Sequence, residues 1–457
     1  MAISLWLNNL TIKKVHIAPL VIFRIIFGSM MAFSTLRFIL KGWVDDLYIT
    51  PTYYFTYYGF DWVKPFDGPT MHMLFWVMFI CAILIMVGLF YRINIVLYFL
   101  IFTYIELIDK TNYLNHYYFV SIISLILIFL PSHRSFSLDC FFGICKKKTF
   151  TKSWTINAIK LQIGIVYFFA GIAKLNYNWL FEAQPLINWL KHQSDFPIIG
   201  NLLLHDVTAY LFSWFGAIFD LSIFFILINN RIRIYGYIVV VIFHIMTIMM
   251  FPIGVFPLVM IGSTLIFFSE NFHKIIIQII CKCLFIKSYD INNDTYKGYN
   301  SFKIFFYGFF ILQFLIPFRY LLYPGNLFWT EQGYRFSWRV MLIEKAGYAQ
   351  FYVHEPKQNR KMLIDNRNYL TPQQEKMMAT QPDMILQYAH FLSEEFSDSL
   401  IVEPNGEKIQ LNKPKITADV VVSLFNEGSK VFIDPTIDLS KEKRGFKHKH
   451  WITKYEN

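Results

Sequence analysis

Long apolar runs fill the chain up to about residue 323 and constrain its fold more than any other feature. A helix that crosses a membrane needs about 20 predominantly apolar residues. Runs of about this length recur at 17–39, 72–91, 94–108, 115–131, 158–175, 207–228, 234–250, 253–269 and 303–323. The third and fourth are short, so one of them is a candidate re-entrant segment. We predict a mainly α-helical, polytopic membrane bundle of about nine spans.

The charged residues support this class and predict an orientation. Charged residues make up only 16% of the chain, whereas soluble proteins carry about 25%. Disordered chains and basic nucleic-acid-binding modules are excluded, so no nucleic-acid partner is predicted. Loops on the N-terminal side carry fourteen lysines and arginines, against four on the other side. The N-terminus is therefore predicted to be cytoplasmic, with the first run a retained anchor rather than a cleaved signal peptide.

The pattern changes at about Pro324, after which short alternating segments replace the long runs. Period-two patterning predicts strands at 348–353, 361–364 and within 420–434. A helix is predicted over 371–396, opening at Thr371 with Gln374 three residues later. We predict two domains, a transmembrane domain at 1–323 and a small α+β extramembrane domain at 324–457. An odd number of spans places the second domain on the periplasmic or lumenal side, and the basic run 441–450 is expected to be a solvated tail.

The five cysteines do not predict a metal centre or a structural disulfide. Cys140 and Cys145 share one predicted loop, and Cys281 and Cys283 share another. Neither pair is accompanied by the four-ligand set that structural zinc requires. No metal cofactor is predicted.

Polar residues at membrane depth are the main candidates for function, because ionisable groups there are energetically costly. They form three groups: residues 109–116 with Asn115 and His116, residues 171–179 with Lys174 and Asn176, and His244. The predicted topology puts all three on the side of the second domain. Burial disfavours an ammonium, which makes a neutral lysine available as a general base. The asparagine amides suit stabilisation of an oxyanion, and an aromatic-rich cavity would admit a flat lipophilic substrate such as a quinone.

Structural interpretations compete with each of these candidates. A lysine at a helix end often extends to the membrane interface, and either histidine suits a packing role. Arg24 and Arg37 in the first run are interpreted as structural, pairing with carbonyls or with buried acids such as Asp220 and Glu106. The grouping of the polar residues on one side favours the catalytic interpretation of Lys174 and His116.

Several motifs resemble segments of the vitamin K-dependent γ-glutamyl carboxylase family, in the same order from about residue 17 to 440. The segment AGIAKLNYNW, which contains Lys174, is similar to the family's catalytic-lysine segment. The segment DKTNYLNH resembles the one that carries an active-site Asn-His pair. Further similar segments are FRIIFG at 23–28, YYGFDW at 57–62, LFYRI at 89–93, FHIM and FPIGVF within 243–256, FSWRVM at 336–341 and FIDPTID at 432–438.

The resemblance implies a reaction that composition and spacing do not. Reduced vitamin K (menaquinone or phylloquinone) and O2 would form a strong base and finally the epoxide. That base would remove the γ-proton of a peptide glutamate, and the carbanion would add CO2. The resemblance implies that Lys174 deprotonates the hydroquinone, that Asn115 and His116 orient it and that His244 lines the pocket with Asn176. It also implies that Trp329, Tyr334 and Trp338 contact glutamate and quinone; an interfacial aromatic belt is the alternative for these three.

The sequence departs from the family's animal members at several points. Ala173 stands where they have a second lysine, and Phe336 replaces a tyrosine. The animal enzymes continue beyond the matching region with a further lumenal segment. The expected function is a membrane carboxylase of this family. Epoxidation without protein carboxylation, a lipid-modifying enzyme that uses the lysine, and a non-enzymatic membrane module remain the alternatives. A bilayer, a lipophilic quinone and a glutamate-containing polypeptide are the expected partners.

Overall fold

The computed structural model of the chain describes residues 11–285, 303–354, 360–402 and 408–455. Its first part is a helical bundle that follows a short strand, β1 (Lys14–His16). The long helices are α1 (Ala18–Leu40), α3 (Gly68–Val87), α4 (Tyr91–Ile108), α5 (Asn115–Phe129), α7 (Ser153–Lys174), α11 (Asp206–Ile228), α12 (Arg233–Met250), α14 (Glu270–Cys283) and α15 (Lys303–Leu315). The short elements are α2 (Trp43–Tyr48), α6 (Leu138–Phe141), β2 (Phe150–Lys152), α8 (Tyr177–Phe181), α9 (Leu186–Lys191), α10 (Gly200–Leu203), α13 (Phe256–Thr264) and α16 (Leu327–Thr330).

The described part of the chain contains six helices long and apolar enough to cross a membrane. They are α1, α3, α4, α7, α11 and α12. Two further apolar helices are shorter, α5 and the segment Phe306–Leu322, in which α15 continues as a 3-10 helix. The predicted membrane bundle is confirmed, and the predicted number of nine spans is approximate.

The predicted span 253–269 is not one straight helix. An apolar segment, Phe256–Phe267, bends by 117° into α14. Ser269 starts the new helix, since its hydroxyl accepts a hydrogen bond from the Phe272 N–H at 3.3 Å. This cap satisfies a backbone donor that would otherwise lack a partner at a helix N-terminus. The bend shortens the apolar segment to about two-thirds of a typical span.

Contacts between distant loops define the two ends of the bundle. At one end β1 pairs antiparallel with β2, from Lys14 with Lys152 to His16 with Phe150. We call this the β1/β2 end. Paired strands lie on one side of a membrane, so an even number of spans must separate them. The four helices α1, α3, α4 and α5 lie between them, which indicates that α5 crosses despite its 15 residues.

The opposite end of the bundle contacts a C-terminal domain built on a four-stranded antiparallel sheet. Its strand order is β4 (Lys361–Ile364), β3 (Lys345–His354), β7 (Ile416–Leu424) and β8 (Ser429–Val431). A separate hairpin pairs β5 (Leu400–Val402) with β6 (Lys408–Gln410). Helices α17 (Pro372–Met378) and α18 (Pro382–Glu395) pack against β3. The predicted α+β fold is confirmed.

The predicted helix 371–396 is divided in two. Thr371 and Gln374 form the predicted capping box, in which each side chain bonds the other residue's backbone N–H. Pro382 then starts α18. A proline lacks the N–H that a continuing helix needs, and it disfavours helical backbone at the preceding residue.

The basic run 441–450 is not a solvated tail. Arg444 forms an ion pair with Asp61 of the bundle at 2.7 Å. His448 hydrogen-bonds Gln332 through its Nδ1 at 2.7 Å. Trp451, next in the chain, is only 2% exposed. These contacts hold the basic run against the bundle and the C-terminal domain, because its side chains find a carboxylate or amide oxygen on each.

Candidate active site

Lys174 is the last residue of α7, and its side chain is buried beside α11. Its Nζ lies 2.6 Å from Oδ2 of Asp220. The two side chains are 8% and 7% exposed. The helices approach closely at Gly171, where an added Cβ would lie 2.8 Å from the backbone nitrogen of Leu221. This contact brings the lysine of one helix within hydrogen-bonding distance of the acid of the other.

The structure decides between the two alternatives for Arg24 and Asp220. The sequence offered carbonyls, or buried acids such as Asp220, as partners of Arg24. Asp220 pairs with Lys174. Arg24 donates hydrogen bonds to the carbonyls of Ser132 and Phe136, at 3.2 and 2.6 Å, as the carbonyl alternative predicts.

Lys174 and Asp220 face a largely apolar cavity of about 810 Å³. Three further polar side chains line it, Tyr167, His244 and Thr247, with the tyrosine hydroxyl 3.1 Å from His244 Nε2. The aromatic residues Trp179, Phe212, Phe243, Phe251 and Phe256 form much of the remaining wall. We call this space the lysine cavity. A few polar groups in an aromatic wall are typical of a site for a flat, lipophilic ligand, so the residues present fit a quinone.

His116 and Asn115 line a neighbouring, larger cavity of about 1850 Å³, the histidine cavity. Asn115 is held by its Nδ2, which donates to the Arg339 carbonyl at 2.9 Å, and by its Oδ1, which accepts from the Tyr113 hydroxyl at 3.0 Å. The His116 ring packs against Phe256, 5.6 Å between centroids.

Both cavities share a wall made by Ile253, Phe256, Val340 and Met341. The Phe256 ring lies between the two histidines, 5.6 Å from His116 and 6.1 Å from His244. The structure thus brings Lys174 and His244 into one cavity and places Asn115 and His116 across a thin apolar wall from them.

The remaining sequence-predicted residues lie elsewhere. Asn176 caps α8, with Oδ1 accepting from the Trp179 N–H at 3.0 Å and Nδ2 donating to the Ala173 carbonyl at 2.9 Å. Trp329 packs into the C-terminal domain and donates through Nε1 to the Thr453 carbonyl at 2.8 Å. Both contacts are structural, since they hold backbone groups in place.

Tyr334 and Trp338 lie on the segment that leads to the shared wall. Tyr334 is buried against Phe328, and burial raises the pKa of its hydroxyl well above its usual range. Trp338 is 1% exposed and packs on Tyr118, 4.9 Å between ring centroids. Its indole Nε1 has no hydrogen-bond partner within the described residues. A buried donor of this kind is costly unless a ligand or water meets it.

Three polar residues of the lysine cavity were not proposed from the sequence as site residues, Asp220, Tyr167 and Thr247. Tyr167 precedes Lys174 by seven residues, which places the two side chains on one helix face. Asp220 interrupts an apolar run, and such an interruption is a recognised signal of function.

Comparison with protein families agrees with this architecture. An HTTM domain matches residues 12–272, which is more than half of the chain. The lumenal domain of vitamin K-dependent gamma-carboxylase matches residues 299–457. The chain belongs to the vitamin K-dependent gamma-carboxylase family. It is a multi-pass, carboxylase-like membrane protein, and the family implies use of vitamin K hydroquinone, O2 and CO2. No solved structure matches the chain.

Proposed function

We propose that the chain is a membrane enzyme that converts vitamin K hydroquinone to its epoxide and carboxylates glutamate of a polypeptide. The observation that carries this proposal is the Lys174–Asp220 pair, buried at 2.6 Å in an aromatic cavity. A buried lysine beside an acid can exchange a proton without leaving an isolated charge in an apolar site.

Lys174 acts as the general base of this proposal. Its Nζ would take a proton from the bound hydroquinone, and the resulting ammonium would be paired with Asp220, whose Oδ2 lies 2.6 Å away. The carboxylate stabilises the product of the transfer, because an isolated ammonium would be costly in this wall. When bound, the hydroquinone supplies with O2 the strong base that glutamate deprotonation requires.

The other polar residues position the ring. His244 is oriented by its hydrogen bond with Tyr167. His116 and Asn115 would act from the histidine cavity, which shares an apolar wall with the cavity of Lys174. The aromatic walls exclude water, which strengthens each electrostatic contact with the ligand. Reduced menaquinone and phylloquinone both fit this description.

Orientation is part of the proposal. We infer that the β1/β2 end is cytoplasmic, because its loops carry most of the basic residues. The C-terminal domain, beginning at about residue 324, then faces the periplasm or lumen. Lys110 of the bundle contacts Asp383 of this domain at 2.9 Å, so the turn after α4 lies on the same side. The lipid bilayer surrounds the exposed apolar faces of α11 and α12.

Epoxidation without protein carboxylation is a second candidate. The observation that favours it is the position of Trp329, predicted to contact glutamate but 1% exposed and bonded to Thr453. A glutamate side chain could reach it only after a rearrangement of the C-terminal domain.

The test is to incubate the purified protein with vitamin K hydroquinone, a glutamate peptide and labelled bicarbonate, and to measure epoxide and fixed label separately. Lys174→Ala should lower epoxide formation at least ~100-fold, the usual contribution of a general base. Lys160→Ala is the matched control, a half-buried lysine of the same helix that lies over the Phe267 ring. Unchanged epoxide in Lys174→Ala would refute the base assignment. Epoxide without fixed label would favour the second candidate.

A further inference from the structure

Two cysteines lie side by side at the β1/β2 end of the bundle, far from the reaction cavities in the fold. Cys140 belongs to α6, and Cys145 lies in the turn that leads to β2, which begins at Phe150. Their Sγ atoms are 3.2 Å apart. Both are free thiols and both are half-buried, so small molecules can reach them. We call them the thiol pair.

The backbone between the two cysteines brings their sulfur atoms together. Gly143 has a φ of 72°, a left-handed conformation that glycine adopts without strain. Its N–H donates to the Cys140 carbonyl at 3.3 Å, and the Cys145 N–H donates to the Asp139 carbonyl at 3.1 Å. A disulfide bond is about 2.0 Å long, so bond formation needs the two sulfur atoms to approach by only about 1 Å. The turn therefore holds the thiols ready to form a bridge.

One carbonyl oxygen accepts hydrogen bonds from both thiols. The His133 carbonyl oxygen lies 3.4 Å from Cys140 Sγ and 3.7 Å from Cys145 Sγ. A thiol is a weak donor, so these contacts orient the sulfur atoms without holding them strongly. Burial and the neighbouring Cys140 thiol raise the pKa of Cys145, because a thiolate there would be desolvated and would lie against a second sulfur. Cys145 is therefore protonated at neutral pH.

The surroundings of the thiol pair indicate what kind of molecule would react with it. Arg134 lies close enough to Cys145 to interact with it electrostatically, and its NH1 donates to the Lys146 carbonyl at 3.4 Å. Lys146 itself is exposed. Two cations beside an accessible sulfur favour an anionic reactant, and oxidised glutathione is an anionic disulfide. The β1/β2 end is cytoplasmic in the orientation proposed above, where disulfides are mostly transient and redox-sensing.

We propose that Cys140 and Cys145 form a reversible disulfide by exchange with a small anionic disulfide of the glutathione type. The Cys140 thiolate attacks one sulfur of the small disulfide, whose S–S bond breaks and releases a first small thiol. Cys145 then gives up its proton and attacks the Cys140 sulfur, and the S–S bond of the mixed disulfide breaks to release a second small thiol. The thiol pair loses two electrons and two protons, and the small disulfide gains them as two thiols.

The order of the two attacks follows from the contacts of the pair. Cys145 is a poor first nucleophile because it is protonated, so the first attack is assigned to Cys140. Once Cys140 carries the small molecule, the Cys145 sulfur already lies next to it. A second attack within one turn of chain is far faster than attack by a separate thiol, so the mixed disulfide should not accumulate.

The disulfide would restrain the start of α4. The Asp139 carboxylate accepts hydrogen bonds from the Phe90 and Tyr91 N–H groups, at 2.7 and 3.1 Å. Its backbone N–H donates to the Gly88 carbonyl at 2.9 Å. Because Asp139 precedes one cysteine and its carbonyl accepts from the N–H of the other, a bridge between them limits its movement. The backbone at the start of α4 should therefore open less often when the thiol pair is oxidised.

The experiment uses the full chain in phosphatidylcholine nanodiscs, without quinone, equilibrated with mixtures of oxidised and reduced glutathione. After acid quenching, N-ethylmaleimide labels the remaining thiols, and mass spectrometry of peptides reports the state of each cysteine. At an oxidising ratio, the peptide that contains both cysteines should be two hydrogens lighter and unlabelled. This bridged form should be roughly tenfold or more abundant than the glutathione adduct, and dithiothreitol should restore both labels.

Three variants separate the bridge from ordinary thiol reactivity. Cys145→Ser should accumulate glutathione on Cys140, because no second thiol releases it, and Cys140→Ser should form no bridge. Cys283→Ser is the matched control: Cys283 is exposed on α14, and Cys281, two residues earlier, faces another side of that helix. The bridge should form in Cys283→Ser as it does in the unaltered chain.

Hydrogen exchange tests the effect on α4. Exchange of the Phe90 and Tyr91 amides should slow roughly threefold or more on oxidation, and it should not change in Cys140→Ser. Equal exchange in the oxidised and reduced chains would overturn the restraint of α4. Separate glutathione adducts on the two cysteines, or an unmodified pair where Cys283 is modified, would overturn the disulfide. Because no quinone is present, failure of the epoxidation chemistry leaves these results unaffected.

Discussion

Replacing Asp220 by asparagine removes the negative charge beside Lys174 while keeping the size of the side chain. The two charged atoms are 2.6 Å apart. At an effective dielectric constant of about 20, unit charges at this distance attract by about 6 kcal/mol. Desolvation of the buried pair offsets much of that attraction. The net contribution of a hydrogen bond to a charged group is about 1.5–3 kcal/mol.

This magnitude sets the expected rate of Asp220→Asn. The ammonium that proton transfer forms on Lys174 loses its charged partner in this variant. The maximal rate of epoxide formation should therefore fall roughly 10- to 150-fold, the equivalent of about 1.5–3 kcal/mol.

The assay is the rate of epoxide formation at saturating hydroquinone. Asp206→Asn is the control, since Asp206 lies on the same helix α11 and pairs with Lys191 at the surface, where the two side chains are 59% and 47% exposed. Surface pairs contribute little, so its rate should match that of the unaltered chain. An unchanged rate in Asp220→Asn, with Lys174→Ala inactive, would refute stabilisation of the lysine by this carboxylate.

Two further predictions concern stability. Gly28→Ala should lower the unfolding temperature markedly, because its Cβ would lie 2.6 Å from the Met86 backbone nitrogen. Gly308→Ala should not, since nothing lies within 4 Å of its added Cβ, and thermal unfolding in detergent compares the two variants. Thr371→Ala should cost about 1 kcal/mol of unfolding free energy by removing the hydroxyl of the capping box, measured by denaturant unfolding.

The sequence alone determined the class of fold and most of the elements. Long apolar runs have only one stable conformation in lipid, since every backbone group must be hydrogen-bonded within the helix. The capping residues Thr371 and Gln374 and the strand at 361–364 were likewise predicted where the structure has them. Each of these features depends on residues that are neighbours in the chain, so a short stretch of sequence is enough to predict it.

Bends and breaks were less accessible from the sequence. The 117° turn after Phe267 and the division of the predicted helix at Pro382 depend on where each segment packs. The contacts that hold the basic run 441–450 were also missed, because a charged segment is expected in solvent until its partners are known. Asp61, the partner of Arg444, lies 383 residues earlier in the chain.

The candidate site shows most clearly what the sequence alone could not predict. Lys174, His116 and His244 stand out in the sequence because ionisable groups are costly at membrane depth. Only the tertiary structure decided that Asp220 is the partner of Lys174, since that choice depends on the close packing of α7 against α11 at Gly171. The energetic cost of an ionisable group at membrane depth depends on that residue alone, so it can be inferred from the sequence. The pairing of two such groups depends on the distance between their helices, and the packing of the whole bundle sets that distance.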